Sequence, residues 1–334
     1  MLDIDGAVEA TAPDEGIAAH YGDPAREQRD MAEGSVLIDR SNRGVIRVTG
    51  ADRLTWLHSL TSQHLEKLAP GTTAQALVLS PQGHLEHHLT VTDNGTETWA
   101  HVEPGTAPAL VKYLDSMRFM MRVEVTDMTG EIGILTLTGA KPEGLEGVAV
   151  AEDPFGISVF VPREKITGGI GPAAGIWAYE AARIAAHLPR PGLDTDHRTL
   201  PHEIGLIETA VHLNKGCYRG QETVARIHNL GHPPRRLVFL HLDGSADRLP
   251  AHGAPLTTAD GTQVGFAGSS ARHYEHGPIG LGLIKRTVPV DATLLADGIA
   301  AAQEVIVPPD AGAQVKVGSR KDFLPPPPAS RKLL

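Results

Sequence analysis

The sequence predicts an α+β protein, with two ferredoxin-like α+β units and a closing β-barrel, and three patterns predict it. Between Val45 and Thr126 the apolar periodicity runs strand, helix, strand, strand, helix, strand, the order of a split βαβ unit. Strands and helices recur between Glu131 and His228, which makes a second α+β unit. From Arg235 short strands alternate with Gly, Pro and Asp turns, as in a small barrel or sandwich.

Residues 1–30 are polar, carry Gly and Pro, and read as an extension with at most one short helix. Val45–Thr49 is a strand, and Asp52 is placed to cap a helix whose Leu54, Leu57, Leu60, Leu65 and Leu68 recur at helical spacing. Gln75–Ser80 and His84–Thr92 form a hairpin through Pro81-Gln82-Gly83. Strict alternation puts Leu85, His87, Leu89 and Val91 on one face of the second strand, and His84, Glu86, His88 and Thr90 on the other. A helix from Thr106 and a strand at Arg122–Thr126 complete this unit. Strands at Glu131–Gly139 and Ile157–Val161, a helix at Ile176–Leu188, a short helix within Pro201–Val211 and a helix near Glu222–His228 make the second. Barrel strands are expected at Leu237–Leu242, Thr262–Ser269, Gly280–Lys285 and Glu304–Val307. The implied divisions are an extension (1–30), a first unit (31–129), a second unit (130–234), the barrel (235–320) and a proline-rich tail (321–334), with exchange of segments between the two α+β units left open.

A net charge of -10 argues against a nucleic-acid binder, which wants a basic face. One cysteine in 334 residues excludes an intramolecular disulfide and fits a reducing compartment. No apolar run is long enough to span a membrane, and Met1–Ala10 has no leader pattern, so a cytoplasmic location is expected. Gly169–Ala174 matches a dinucleotide fingerprint weakly, but Pro172 interrupts it and no acidic strand end follows. His84, Glu86 and His88 have metal-compatible spacing, although a solvated sheet face explains them better.

The densest chemistry is Lys215-Gly216-Cys217-Tyr218-Arg219-Gly220-Gln221-Glu222, which holds the single cysteine. A lone cysteine is often only a small buried hydrophobe. Here Gly216 and two flanking cations favour a functional thiolate. One thiol cannot hold an iron–sulfur cluster by itself, since clusters take about four ligands.

This octapeptide resembles the hallmark of the YgfZ folate-binding proteins, relatives of the aminomethyltransferase, or T-protein, of the glycine cleavage system. Leu200-Pro201-His202-Glu203-Ile204-Gly205-Leu206 before it and Val224-Ala225-Arg226 after it resemble the same family. At pattern level the likeness runs from Ser35 to Val317. It implies a three-domain T-protein-like ring around a pocket for tetrahydrofolate or a one-carbon derivative. It also implies partnership with iron–sulfur client or assembly proteins, with Cys217 as the working thiol. Lys215 and Arg226 are then candidates for the glutamate tail of folate. Tyr218, Gln221 and Glu222 become further pocket residues, although Gln221 and Glu222 equally suit a helix start. Glu203 is either a pterin carboxylate or a helix-start acid. His87, on the apolar face, is assigned to the pocket. His87 and His88 stand where the T-protein carries paired aspartates, and an imidazole cannot replace a carboxylate that stabilises a developing iminium cation. Aminomethyl transfer is therefore not expected. A folate-dependent one-carbon transferase or demethylase remains the alternative.

Overall fold

The computed structural model describes residues 1–34 and 36–312, so the proline-rich tail, the last residues assigned to the barrel and both ends of the family likeness lie outside the described residues. The chain opens with a ribbon of β1 (Val8–Glu9) and β2 (Ala18–His20), then α1 (Pro24–Ala32) and β3 (Leu37–Asp39). Residues 1–30 are thus no loose extension. Ile17, Ala19 and Met31 are buried in one core with Ile38, Ile176 and Tyr179. Their polarity misleads because the acids are satisfied inside. Glu27 accepts N–H bonds from Tyr21 (2.7 Å) and Gly175 (2.8 Å).

The first unit comprises β4 (Gly44–Thr49), α2 (Arg53–Leu60), β5 (Thr73–Leu79), β6 (Leu85–Asp93), β7 (Thr98–Val102), α3 (Ala107–Ser116) and β8 (Glu124–Asp127). Its antiparallel sheet runs β5-β6-β7-β4-β8. One face packs on α2 and α3 through Trp56, Leu57, Leu110 and Leu114. Asp52 makes no side-chain cap; its carboxylate instead accepts three bonds from Arg122.

The second sheet is built from β9 (Ile132–Leu137), β10 (Ala149–Asp153), β11 (Gly156–Pro162) and β12 (Ala173–Ala174) in the order β10-β11-β9-β3-β12. It therefore takes β3 from a stretch assigned by sequence to the first unit. After it come α4 (Ile176–Ala185), a 3-10 turn at Pro201–Ile204, α5 (Ile207–Ala210) and α6 (Gln221–Leu230). The barrel closes in the order β13-β16-β15-β14-β17-β18. Its strands are β13 (Arg235–Leu242), β14 (Pro255–Thr258), β15 (Gln263–His273), β16 (Gly277–Lys285), β17 (Leu294–Ala296) and β18 (Ile299–Val305). A shared apolar core joins Leu77, Leu79 and Leu85 of the first sheet to Tyr218 and Val224, and to Leu237, Phe239 and Leu281 of the barrel. Among the described residues no helix is long and apolar enough to cross a membrane.

Candidate functional site

A cavity of about 1540 Å³ lies where the three bodies meet. Thr73, Gln75, His88, Thr90 and His101 line it from the first sheet, Tyr179, Glu180 and Arg183 from α4, and Val307 and Pro308 from the segment after the barrel. None of Cys217, Lys215, Tyr218, Gln221, Glu222, Arg226, Glu203 or His87 lines it.

Of His87 and His88, it is His88 that reaches the cavity. Val78 pairs with His87, but Leu79 pairs with Leu85, so Glu86 is an extra residue in the ladder. This β-bulge breaks the alternation that the sequence implies. Leu85 is shifted to the face of Leu77, Leu79 and His88, while His87 stays on the opposite face with Val78 and Leu89. The bulge also disperses the expected His84, Glu86 and His88 face, and Glu86 pairs with Arg219 at 2.7 Å.

Charges wall one end of the cavity. Arg190 grips Asp14 through two bonds of 2.7 Å, and also bonds Glu103 (2.6 Å) and Glu180 (3.2 Å). Arg43 bonds Glu103 and Nδ1 of His101, both at 2.8 Å. Arg40 pairs with Asp153 at 2.7 Å and lies over the Tyr179 ring. Burial pushes the Glu103 carboxyl up, but Arg43 and Arg190 outweigh it and hold it at about 2. Because Nδ1 of His101 accepts from Arg43, its Nε2 carries the proton, and that buried N–H has no partner among the described residues. Both ring nitrogens of His202, another cavity residue, are likewise buried without partners among the described residues. These groups escaped sequence reasoning because Asp14, Arg43, Glu103, Glu180 and Arg190 share no motif and meet only in the fold.

Burial lowers the pKa of His88 to about 4, with Arg43 adding to the effect and Glu103 opposing it. His88 is therefore neutral at pH 7, and its Nε2 shares a hydrogen bond with Gln75 at 3.1 Å. The folded value lies below the unfolded one, so the unfolded chain binds the extra proton as pH falls. The stability conferred by a neutral His88 is complete above its unfolded pKa and is lost as pH drops towards 4. Between pH 7 and pH 5 the loss is about 2 kcal/mol. Urea unfolding at the two pH values measures it, and His88→Gln is expected to remove that share of the pH dependence.

The octapeptide does different work from that expected. The Lys215 ammonium donates to the carbonyls of His58, Thr61 (2.5 Å) and Gln63 (3.2 Å), so its three N–H bonds are spent closing the C-terminal end of α2. Burial lowers its pKa to about 8. The Tyr218 ring enters the shared core, and burial raises its hydroxyl to about 12. Gln221 Nε2 donates to the Lys215 carbonyl at 3.2 Å. Gly220 has φ +84°, and a Cβ there would meet the Ser80 carbonyl oxygen at 2.6 Å, so only glycine lets the motif dock on the β5–β6 turn. Cys217, Glu222 and Arg226 remain exposed.

Glu203 is fully buried and braces the barrel. Its carboxylate accepts from Arg235 N (3.1 Å), Nε (2.9 Å) and Nη2 (2.8 Å), and from Leu200 N (2.9 Å). All of its acceptor positions are used, which leaves none for a pterin.

Residues 18–151 match the family described as the GCVT N-terminal domain. A crystal structure of the glycine cleavage system aminomethyltransferase T from Bartonella henselae superposes with a TM-score of 0.72 at 18% identity, covering 93% of this chain and 95% of that one. The chain has a T-protein-like fold. A chloroplastic protein of Arabidopsis thaliana, provisionally described as a transferase, is 25% identical over 86% of this chain and 73% of its own length. The mitochondrial iron–sulfur cluster assembly factor IBA57 of Mus musculus is 26% identical over 73% of this chain and 75% of its own length.

Proposed function

We propose that this protein is a YgfZ-type accessory factor that binds tetrahydrofolate in the central cavity and serves iron–sulfur clusters of client enzymes through Cys217. The observation that carries the reading is the division of labour in the octapeptide. Lys215, Tyr218, Arg219 and Gln221 are consumed by packing and bonding, which presents Cys217 at the surface on a rigid mount. One exposed thiol suits a ligand shared with a second protein, because a cluster takes about four ligands and this chain has one cysteine. Likeness to IBA57 supports the same assignment.

The cavity residues fit a folate. The space exceeds that of a drug-sized ligand. The unpartnered donor on His101 and the unpartnered ring of His202 suit the polar edges of a pterin. Bound tetrahydrofolate would supply a carrier for one-carbon units. Neutral His88 can donate or accept a hydrogen bond there, but it offers no negative charge to an iminium cation, which disfavours aminomethyl transfer. The alternative, a one-carbon transferase or demethylase, would show turnover of a methylamine-type donor.

Isothermal titration with tetrahydrofolate tests the cavity. Wild type is expected to bind one equivalent, and Thr90→Trp, which fills the cavity from β6, to weaken binding at least about tenfold. Cys217→Ala should bind like wild type. Wild-type protein that takes up no heat with tetrahydrofolate would remove folate from the account.

A further inference from the structure

We propose that His58, His64 and Glu66 form a binding site for a divalent transition-metal ion, with His212 as an adjoining ligand. One ligand atom from each of the first three residues lies within 4.8 Å of the others. The His58 and His64 rings are 4.7 Å apart and nearly perpendicular, and the His212 ring is 5.2 Å from His64. Nδ1 of His58 is buried and has no hydrogen-bond partner among the described residues, although an orphaned buried nitrogen calls for one. A metal ion would supply it. Bonds of about 2.0–2.1 Å to imidazole require the ligand atoms to converge further, and the exposed Glu66 side chain can swing inwards to do so.

The seam that carries these residues is held rigid by contacts across nearly 150 residues of sequence. Ser62 Oγ donates to the Ala210 carbonyl (2.6 Å), His212 N to the Ser62 carbonyl (2.9 Å) and Gln63 Nε2 to the Thr209 carbonyl (3.1 Å). Lys215 then ties the octapeptide to the carbonyls of His58 and Gln63. A backbone held in this way leaves only side chains, Glu66 above all, to be ordered on binding.

The chemistry of the donors selects the ion. Imidazole with one carboxylate suits Zn²⁺, Co²⁺ or Fe²⁺, whereas Mg²⁺ and Ca²⁺ want an all-oxygen shell. The Lys215 ammonium beside His58 repels any cation, so an ion held by charge alone is disfavoured and one held by nitrogen bonds is favoured. A second candidate group, His273, Glu275 and His276, is weaker. Nδ1 of His273 already accepts the N–H groups of Glu275 (3.1 Å) and His276 (3.2 Å).

Titration of Co²⁺ into tag-free, chelator-treated full-length protein tests the proposal. A single saturating equivalent with visible d–d absorption is expected, displaced by Zn²⁺ and unaffected by excess Mg²⁺. His64→Ala and Glu66→Ala, both on the solvent side of the seam, should each lower the affinity at least about tenfold while circular dichroism stays unchanged. His273→Ala/His276→Ala should bind like wild type. Absence of a saturable band, or a band lost only in the His273→Ala/His276→Ala protein, would overturn the site. The readout requires neither folate nor a client enzyme, so it stands apart from the proposed function.

Discussion

Replacing Glu203 by alanine is expected to destabilise the folded protein by about 3–5 kcal/mol, the usual cost of breaking a buried ion pair from one side. The carboxylate is fully buried and holds Arg235 by two side-chain bonds, as well as the backbone N–H groups of Leu200 and Arg235. Asp196 would still pair with Arg235 at 2.6 Å, but both backbone donors would lose their partner. Urea unfolding monitored by tryptophan fluorescence measures the loss. Glu203→Gln retains the shape and some of the hydrogen bonds, so a smaller loss is expected. The same two variants separate a brace from a ligand-binding group. A brace predicts that folded Glu203→Gln protein binds tetrahydrofolate as wild type does. A large loss of folate affinity with stability intact would return Glu203 to the pterin.

The sequence located the chemistry better than it assigned it. The octapeptide stood out because cation, thiol, phenol, amide and carboxylate crowd together, but which of them face inwards depends on partners far along the chain. Lys215 looked like an anion binder, yet its acceptors lie near His58, where α2 ends. Alternation put His87 on the apolar face, and likeness to the T-protein assigned it to the pocket. The face of His87 and Leu89 packs on α2 and α3 while the face of His88 and Thr90 fronts the cavity, and nothing local in Leu85–Leu89 announces which face does which. Strand β7 was missed because Thr98–Val102 is buried on both faces, which erases the period of two. β14 and β17 are too short to show a period. The barrel and the first unit were legible because their longer strands alternate between clear turn signals. The charged wall of the cavity was not, since Asp14, Glu103 and Arg190 are ordinary residues until the fold gathers them.

Cys217→Ala is the second large effect, and here function should change without stability. The thiol is exposed, and no hydrogen bond to it is seen among the described residues. Substitution at such a site changes stability by no more than about 0.5 kcal/mol. Tyr218 beside it keeps the loop in place by entering the shared core. The measurement that bears most directly on the account is therefore the activity of iron–sulfur enzymes in cells of the source organism. Wild-type protein, Cys217→Ala or no protein would be supplied in turn, at matched levels of folded protein. The account predicts that Cys217→Ala cells fall to the level of cells lacking the protein. Cluster-enzyme activity in Cys217→Ala cells equal to wild type would contradict it.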